Sequence, residues 1–476
     1  SFTSGGTTEI AAGDTITGAT SAATAVVTKV ILLTGTWAGG DAAGRIFFAS
    51  QTGTFQAENL DIGASTNVAT IAGDSTAITL APGGRYEFEN VNFGGLAGTT
   101  KMYGVSGVHQ GFEWDGTTFV LIATGMVVDT PTHLRVFKKH LFFSFDGSVQ
   151  HSGIGTPYIW SVITGASEIA VGDTCTGFLL QPGGTTAGAL VIYTRNATSV
   201  LYGNSSSDWN LMPFNPDAGA IEWTQQYINQ GIALDDRGVT LMGTSQAFGN
   251  FASADVSPKV KPFINTHRAN AVASCVVREK NQYRLFFTNG TALYVTFIGN
   301  KVAGLMPIAL GHSLTCVCSL EADSGSEEIF FGASDGFVYQ MERGTSHNGL
   351  EISWSAELAF NHFGGPRQLK TFRKAVVEVS GSGFSQFNLA STIGYGKGEY
   401  PQATGETIES TLSSAQWDSF VWDQFYWDGQ TLIPAEADLD GTAENISLIF
   451  SGSSDEYAPL TLNGAIVDFT SRRQLR

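Results

Sequence analysis

The stretch HLRVFKKHLFFSFDG, residues 133–147, contains the pattern that decides the fold. The polar segment from Arg135 to Lys139 lies between short apolar runs that are rich in Val, Leu and Phe. Apolar runs of this length and composition, joined by a few polar residues, are typical of two strands of a β-hairpin. The Asp146-Gly147 pair that follows is a turn signal of the same kind.

Similar apolar pairs recur along the chain, and their starts lie roughly 40 to 55 residues apart. They occupy residues 188–203, 231–243, 273–297 and 314–341, and residues 103–122 form an earlier hairpin of this type. Such spacing is typical of β-propeller blades, whose sheets stack radially because a single sheet cannot bury both of its faces. We therefore predict an all-β fold with a β-propeller-like region at residues 86–365. The alternative architecture is a series of β-sandwiches.

The flanking regions have their own composition. Residues 1–85 are rich in Thr, Ala and Gly, with strand-like alternation at 25–32 and 45–48, and predict a small N-terminal β module. After Gly364-Gly365-Pro366, residues 366–476 predict a C-terminal β-domain that contains a Trp-rich segment. The 57 glycines and the low charged fraction of 14% fit short strands joined by turns.

The overall charge limits the classes of partner. The formal net charge is −18, which disfavours general nucleic-acid binding because affinity for phosphates comes from Lys and Arg. An acidic wall can still face DNA without binding it, and the charge also serves solubility. The basic strip at 258–268 is interpreted as a solvated loop, with a partner contact as the alternative. No apolar run is long enough for a membrane span, and a start at Ser1 indicates a processed or longer N-terminus.

Residues 416–429, QWDSFVWDQFYWDG, repeat Trp-Asp at steps of five. In WD-repeat propellers this pair closes a blade of about 40 residues, so the short step excludes that reading. An Asp that follows a Trp is better suited to capping a turn than to catalysis. The aromatic side chains are predicted to be anchors, either in the core of the C-terminal domain or in a subunit contact. These predicted anchors are Trp417, Trp422, Phe425 and Trp427.

The sequence carries no recognisable catalytic or cofactor motif. It has no G-x-S-x-G, H-E-x-x-H or P-loop, and its eight His are dispersed. Four Cys include the pair Cys316 and Cys318, which share a face if they lie on a strand, but buried free thiols are favoured over a metal site. We expect no enzyme activity, no cofactor and no metal.

Three parts of the chain resemble the tail nozzle (tail hub, or tail tubular) proteins of short-tailed bacteriophages. The C-terminal part carries PRQLKTFRKAVVEVSGSG (366–383), WDSFVWDQFYWDG (417–429) and the stretch from Asp438 to Arg476. The middle part carries SVLYGNSSSDWNLMPFNPDAGAIEWTQQYINQGIALDDRG (199–238). The N-terminal GDTITGATSAATAVV (13–27) resembles a small β module found in many phage virion proteins.

The resemblance implies a structural virion protein that forms a ring, expected to be a hexamer, at the distal end of a short tail. DNA would cross its channel on ejection without specific binding. One face would dock on a tail adaptor or portal-associated ring, and the outer face would hold fibres or spikes. Candidate acidic residues for the channel lumen are Glu113, Asp115, Asp217, Glu222, Asp235 and Asp236.

A second hypothesis belongs to another class. A carbohydrate-binding or carbohydrate-degrading propeller, similar to a tailspike, would show paired carboxylates and aromatic platforms in one pocket. The nozzle hypothesis predicts aromatic residues buried between subunits instead.

Overall fold

A computed structural model describes residues 1–181, 188–242, 255–299, 301–381, 384–411 and 432–474. The chain is built from β-strands, which confirms the predicted all-β, propeller-like fold. It divides into two compact units, one of residues 1–309 with 313–337 and one of 310–312 with 338–476. The boundary expected from the sequence, at 365 and 366, lies inside the second unit. Within the described residues, the structure has no helix with the length and hydrophobicity of a membrane span.

The first unit begins with a closed six-stranded barrel in the order β1-β4-β3-β2-β5-β6. Its strands are β1 (Phe2–Gly5), β2 (Thr15–Gly18), β3 (Thr24–Thr34), β4 (Ala42–Thr52), β5 (Ala57–Ile62) and β6 (Ser65–Ala72). Along β3, Ala25 and Val27 are buried while Val26 is exposed, as the two-residue period of a strand dictates. The buried side chains meet Phe2 and Leu60 in one core.

Six sheets follow in chain order within the described residues, and we call them blades one to six. Blade one consists of β7 (Glu87–Val91), β8 (Lys101–Val105), β9 (Phe112–Trp114) and β10 (Phe119–Leu121). Blade two consists of β11 (Leu134–Phe137), β12 (His140–Phe145), β13 (Ser148–His151) and β14 (Ser167–Ala170). Blade three consists of β15 (Cys175–Gln181), β16 (Ala189–Thr194), β17 (Thr198–Tyr202) and β18 (Asn210–Asn215).

Blade four consists of β19 (Gln226–Ile228), β20 (Gln230–Leu234) and β21 (Val239–Leu241). Blade five consists of β22 (Ala271–Val277), β23 (Gln282–Phe287), β24 (Thr291–Ile298) and β25 (Lys301–Ala309), and blade six contains β26 (Leu314–Glu321) and β27 (Glu327–Ala333). Short helical turns occur at Val162–Thr164, Pro258–Val260 and Arg268–Asn270, and the helix α1 spans Lys261–His267. The expected solvated loop at 258–268 is therefore helical, and it buries Ile264 completely.

Blades one, two and three stack face to face because blade two is apolar on both sides. All six residues of β12 are buried, and neighbouring residues on this strand point to opposite faces. Phe143 packs with Tyr103 of blade one, whereas Phe142 packs with Leu190 of blade three. This two-sided burial explains the continuous apolar run LFFSF at residues 141–145.

The second unit is a β-sandwich. The strand β28 (Val338–Gln340) precedes the sandwich and lies outside both of its sheets. The sandwich strands are β29 (Ile352–Glu357), β30 (Gln368–Gly381), β31 (Phe384–Ile393), β32 (Glu406–Thr411), β33 (Leu432–Asp438), β34 (Thr442–Ala443), β35 (Ile446–Ser454) and β36 (Leu460–Gln474), with a short helical turn at Gly394–Gly396. One sheet has the order β29-β35-β31-β32, and in the other β30 pairs with β33, β34 and β36. Val377 from the second sheet and Phe387 and Phe450 from the first lie in one buried core.

Candidate functional site

The first strand of every blade lines one axial cavity of about 1060 Å³ in the first unit. Its walls include Glu87 on β7, Leu179 on β15 and Cys318 on β26. Each sheet begins at this cavity and continues outward in chain order, which is the radial arrangement of a propeller. We call this space the axial cavity.

A buried imidazole joins two acidic side chains beside the axial cavity. His133, directly before β11, places Nδ1 at 2.9 Å from Oε2 of Glu87 and Nε2 at 3.1 Å from Oε1 of Glu222. Burial lowers the pKa of His133, but the hydrogen bonds and charges of Glu222 and Glu87 outweigh this effect and raise the pKa to about 9. The imidazole is therefore a cation at neutral pH. It ties blade one to the segment that leads into blade four.

Trp223 lies next to this ion pair in a backbone conformation that side chains rarely adopt. Its φ is 65°, in the left-handed region, which is unusual for a bulky residue. The guanidinium of Arg85 lies 4.1 Å from the Trp223 ring centroid, and the His133 ring centroid lies 4.8 Å away. The hydroxyl of Ser274 donates a hydrogen bond of 2.8 Å to the Trp223 carbonyl oxygen. Contacts from three different blades thus hold the strained residue in place.

Further aromatic side chains of the axial cavity are open to solvent. Tyr86, Phe88 and Tyr227 are 38%, 53% and 37% exposed. The Tyr86 and Phe88 rings are nearly parallel, with centroids 5.8 Å apart and an interplanar angle of 12°. Together with Phe178 and Trp223 they give the cavity five Phe, Tyr and Trp side chains among polar ones.

Two of the predicted acidic residues lie where the barrel meets blade one. Glu113 on β9 is fully buried, and it accepts hydrogen bonds from Lys29 of the barrel and, at 2.7 Å, from the Tyr103 hydroxyl. Lys101 adds an ion pair at 3.2 Å, and Lys29 also bonds Asp115 at 3.1 Å. Burial would raise the pKa of Glu113, but the hydrogen bonds from Lys29 and Tyr103 help to lower it below its usual value. The charges of this cluster are therefore compensated inside the unit.

Three other predicted residues meet at turns of blades three and four. Asp217, Asp235 and Asp236 border one small cavity together with Arg195 and Arg237. Arg195 bonds Asp236 at 2.7 Å, and Arg237 bonds Asp235 at 2.9 Å. Asp235 also accepts from the backbone N–H groups of Arg237 and Gly238, so it shapes the turn.

The structure thus separates the six acidic candidates into three places. Of these six, Asp217, Glu222 and Asp236 are exposed. Their position relative to a ring lumen stays a prediction, since only one chain is described. The predicted anchors Trp417, Trp422, Phe425 and Trp427 lie outside the described residues. Among the described residues, no group of three or more His, Cys, Asp or Glu side chains is placed to hold a metal ion.

Sequence reasoning missed the arrangement around His133 and Trp223. In the sequence, His133 is part of a predicted hairpin, and its partner Glu87 is 46 positions away. No local spacing signals a contact of that kind. A local signal for this site is the pair of consecutive residues Glu222 and Trp223, since an acidic and an aromatic residue stand together there outside any apolar run.

No protein-family model matches the sequence, and the search of curated proteins gives no match. Solved structures with a similar fold include BBS1N in complex with ARL6DN, at 12% identity and a TM-score of 0.37, covering 56% of this chain and 81% of that one. The WD40 β-propeller domain of Doa1 matches at 9% identity and a TM-score of 0.30, with coverages of 51% and 79%. Sqt1 of Saccharomyces cerevisiae matches at 12% identity and a TM-score of 0.32, with coverages of 50% and 66%.

Proposed function

We propose that this protein is a structural virion protein that forms the distal nozzle ring of a short phage tail. In this role six copies surround the channel through which DNA leaves. One face of the ring docks on a tail adaptor or portal-associated ring, and the outer face carries fibres or spikes. The proposal rests on the resemblance of the quoted N-terminal, middle and C-terminal segments to nozzle proteins.

The observation that best supports it is the group of ion pairs that joins the barrel to the propeller. We call the contacts of Lys29 with Glu113 and Asp115 the charged lock. Lys29 reaches from β3 of the barrel to the buried Glu113 and to Asp115 of blade one. On the same interface, Arg45 donates a hydrogen bond of 2.9 Å to the carbonyl oxygen of Leu121. Both contacts lie inside one compact unit, and breaking a buried ion pair costs about 3–5 kcal/mol in typical cases, so separating the barrel from blade one is unfavourable. A conduit wall that must withstand DNA passage benefits from modules that stay attached.

The charge distribution agrees with a conduit. Asp217 and Asp236 are exposed on turns, and Asp236 pairs with Arg195 at 2.7 Å. Exposed carboxylates repel a polyanion and so reduce its adhesion to the wall. The proposal therefore expects DNA to pass without specific contacts.

The decisive experiment is the mass and symmetry of the purified protein or of intact tails. Native mass spectrometry and electron-microscopy class averages should show a sixfold ring with an axial channel wide enough for a DNA duplex. A monomer or trimer without such a channel, in the protein and in intact tails alike, would reject the nozzle function.

A further inference from the structure

We propose that the axial cavity of the propeller is a carbohydrate-binding site, with the exposed rings of Tyr86, Phe88 and Tyr227 as stacking platforms. This gives the carbohydrate-binding hypothesis a defined location. It is independent of ring formation, because every residue involved belongs to one copy of the first unit.

The first argument is the exposure of several aromatic rings in one concave space. A single exposed aromatic side chain is ordinary, but a group of them in a cavity marks a binding surface. The Tyr86 and Phe88 rings are stacked with their centroids 5.8 Å apart, and both rings stay partly open to solvent. A pyranose ring has one flat face of C–H groups, and that face packs against aromatic rings of this kind.

The second argument is the supply of hydrogen-bonding groups around the platforms. Arg278 and Asn281 line the same cavity from the turn between β22 and β23, and both are exposed. The exposed carboxylate of Glu222 stands beside Trp223. Sugar hydroxyls donate and accept hydrogen bonds, so they need donors such as Arg and Asn together with acceptors such as carboxylates.

The third argument is preorganisation. His133 fixes Glu87 and Glu222, and the contacts of Arg85, His133 and Ser274 hold Trp223 at a positive φ. Strained residues held by several neighbours are found at ligand-binding sites, where a rigid surface lowers the entropy lost on binding.

The geometry points to binding of a saccharide and away from its cleavage. The His133 imidazole stands between Glu87 and Glu222, so the two carboxylates do not face each other across open space as the pair of a glycosidase does.

The test uses the full-length protein and an array of bacterial surface polysaccharides with malto-, chito- and cello-oligosaccharides. The oligosaccharide with the strongest signal is then titrated by calorimetry against the wild type, Phe88→Ala and Tyr227→Ala. The matched control is Tyr202→Ala, because Tyr202 is 43% exposed but lies on β17, away from the axial cavity.

We expect both cavity variants to weaken binding about tenfold or more, and the control to bind like the wild type. All three side chains are exposed, so the variants should unfold at the wild-type urea concentration. The proposal is overturned if no saccharide binds, if the cavity variants bind as well as the wild type, or if a peptide library binds in place of every saccharide. Native mass spectrometry of the same samples reports ring formation separately, so failure of one proposal is distinguishable from failure of the other.

Discussion

Two lysines in different regions of the molecule are both shielded from water, but their hydrogen-bond partners differ in charge. Lys29, at the junction of barrel and propeller, faces the carboxylates of Glu113 and Asp115. Lys370 in the sandwich is only 1% exposed, and its ammonium group donates to three carbonyl oxygens. These belong to Gly365 at 2.7 Å, Gln368 at 3.0 Å and Glu444 at 3.1 Å.

The pKa values of the two lysines move in opposite directions. Burial lowers the pKa of Lys29, but hydrogen bonds and charges from Glu113 and Asp115 outweigh burial and raise it. Burial also lowers the pKa of Lys370, and there the more distant charge of Glu444 does not compensate. Neutral carbonyls satisfy the hydrogen bonds of an ammonium group without matching its charge. The partner's charge, and not burial, therefore decides whether a buried cation resists deprotonation.

The largest expected effect on stability follows the removal of the Glu113 carboxylate, which pairs with Lys29 of the barrel. Glu113→Ala leaves Lys29 and Lys101 facing a buried site without their partner, so the free energy of unfolding of the first unit should fall by about 3–5 kcal/mol. Urea denaturation followed by tryptophan fluorescence measures this loss. The double variant Lys29→Met/Glu113→Leu removes both charges and should recover part of the stability. A loss below about 1 kcal/mol in Glu113→Ala would contradict the lock.

A smaller loss of stability is expected when Lys370 of the sandwich is replaced. Lys370→Met removes the donor from three carbonyls, and unsatisfied buried polar groups cost about 1–3 kcal/mol. Hydrogen exchange around residues 365–370 and 443–446 should become faster, because the ammonium group holds these segments together. The control is Lys374→Met on the same strand, where the ion pair with Glu436 is exposed and its loss should change little. Equal exchange in both variants would show that the carbonyl contacts of Lys370 add nothing.

His133 is a third buried cation, and like Lys29 it faces carboxylates. Its pKa is raised to about 9, so the folded state holds this proton more tightly than the unfolded state does. The resulting stability is complete below the unfolded pKa, about 6.5, and is lost as the pH rises through 9. His133→Asn should therefore be less stable than the wild type at pH 6, and the difference should shrink by pH 10. A difference in the urea midpoint that stays constant over this range would show that the protonated imidazole is not the stabilising species.

The smallest effect is expected at the exposed pair of Arg195 and Asp236. Solvent screens this contact, so Arg195→Ala should change the free energy of unfolding by about 0–1 kcal/mol. The exposed pair of Arg195 and Asp236 and the buried pair of Lys29 and Glu113 should therefore differ in how much their loss lowers the free energy of unfolding. A loss as large as that of Glu113→Ala would mean that burial is not what distinguishes the two.

The hairpins could be predicted from sequence because their signals are local. Residues 133–147 contain both strands and the turn, and the two strands pair in the expected antiparallel way. The helix at 261–267 could not be recognised in the same way. It starts near two prolines and has only one fully buried residue, Ile264, so it shows no apolar period.

The charged contacts could not be predicted because they join distant positions. Lys29 and Glu113 are 84 residues apart, and nothing near either residue indicates the other. In the sequence, the six acidic candidates differ from other positions only in their charge. The structure shows instead that the surroundings distinguish the internally compensated Glu113 from the exposed Asp217.

The chain order of the blades has a consequence for biosynthesis. Each blade is one continuous segment that begins at the axis and ends at the rim, and no described strand is shared between blade one and blade six. Because a ribosome adds about 5–20 residues per second, each early blade can pair its strands before the next has emerged. The contact of His133 with Glu222 spans blades two and four, so it can close only later. Folding during translation would then proceed from blade one onward, with the axial contacts as its final step.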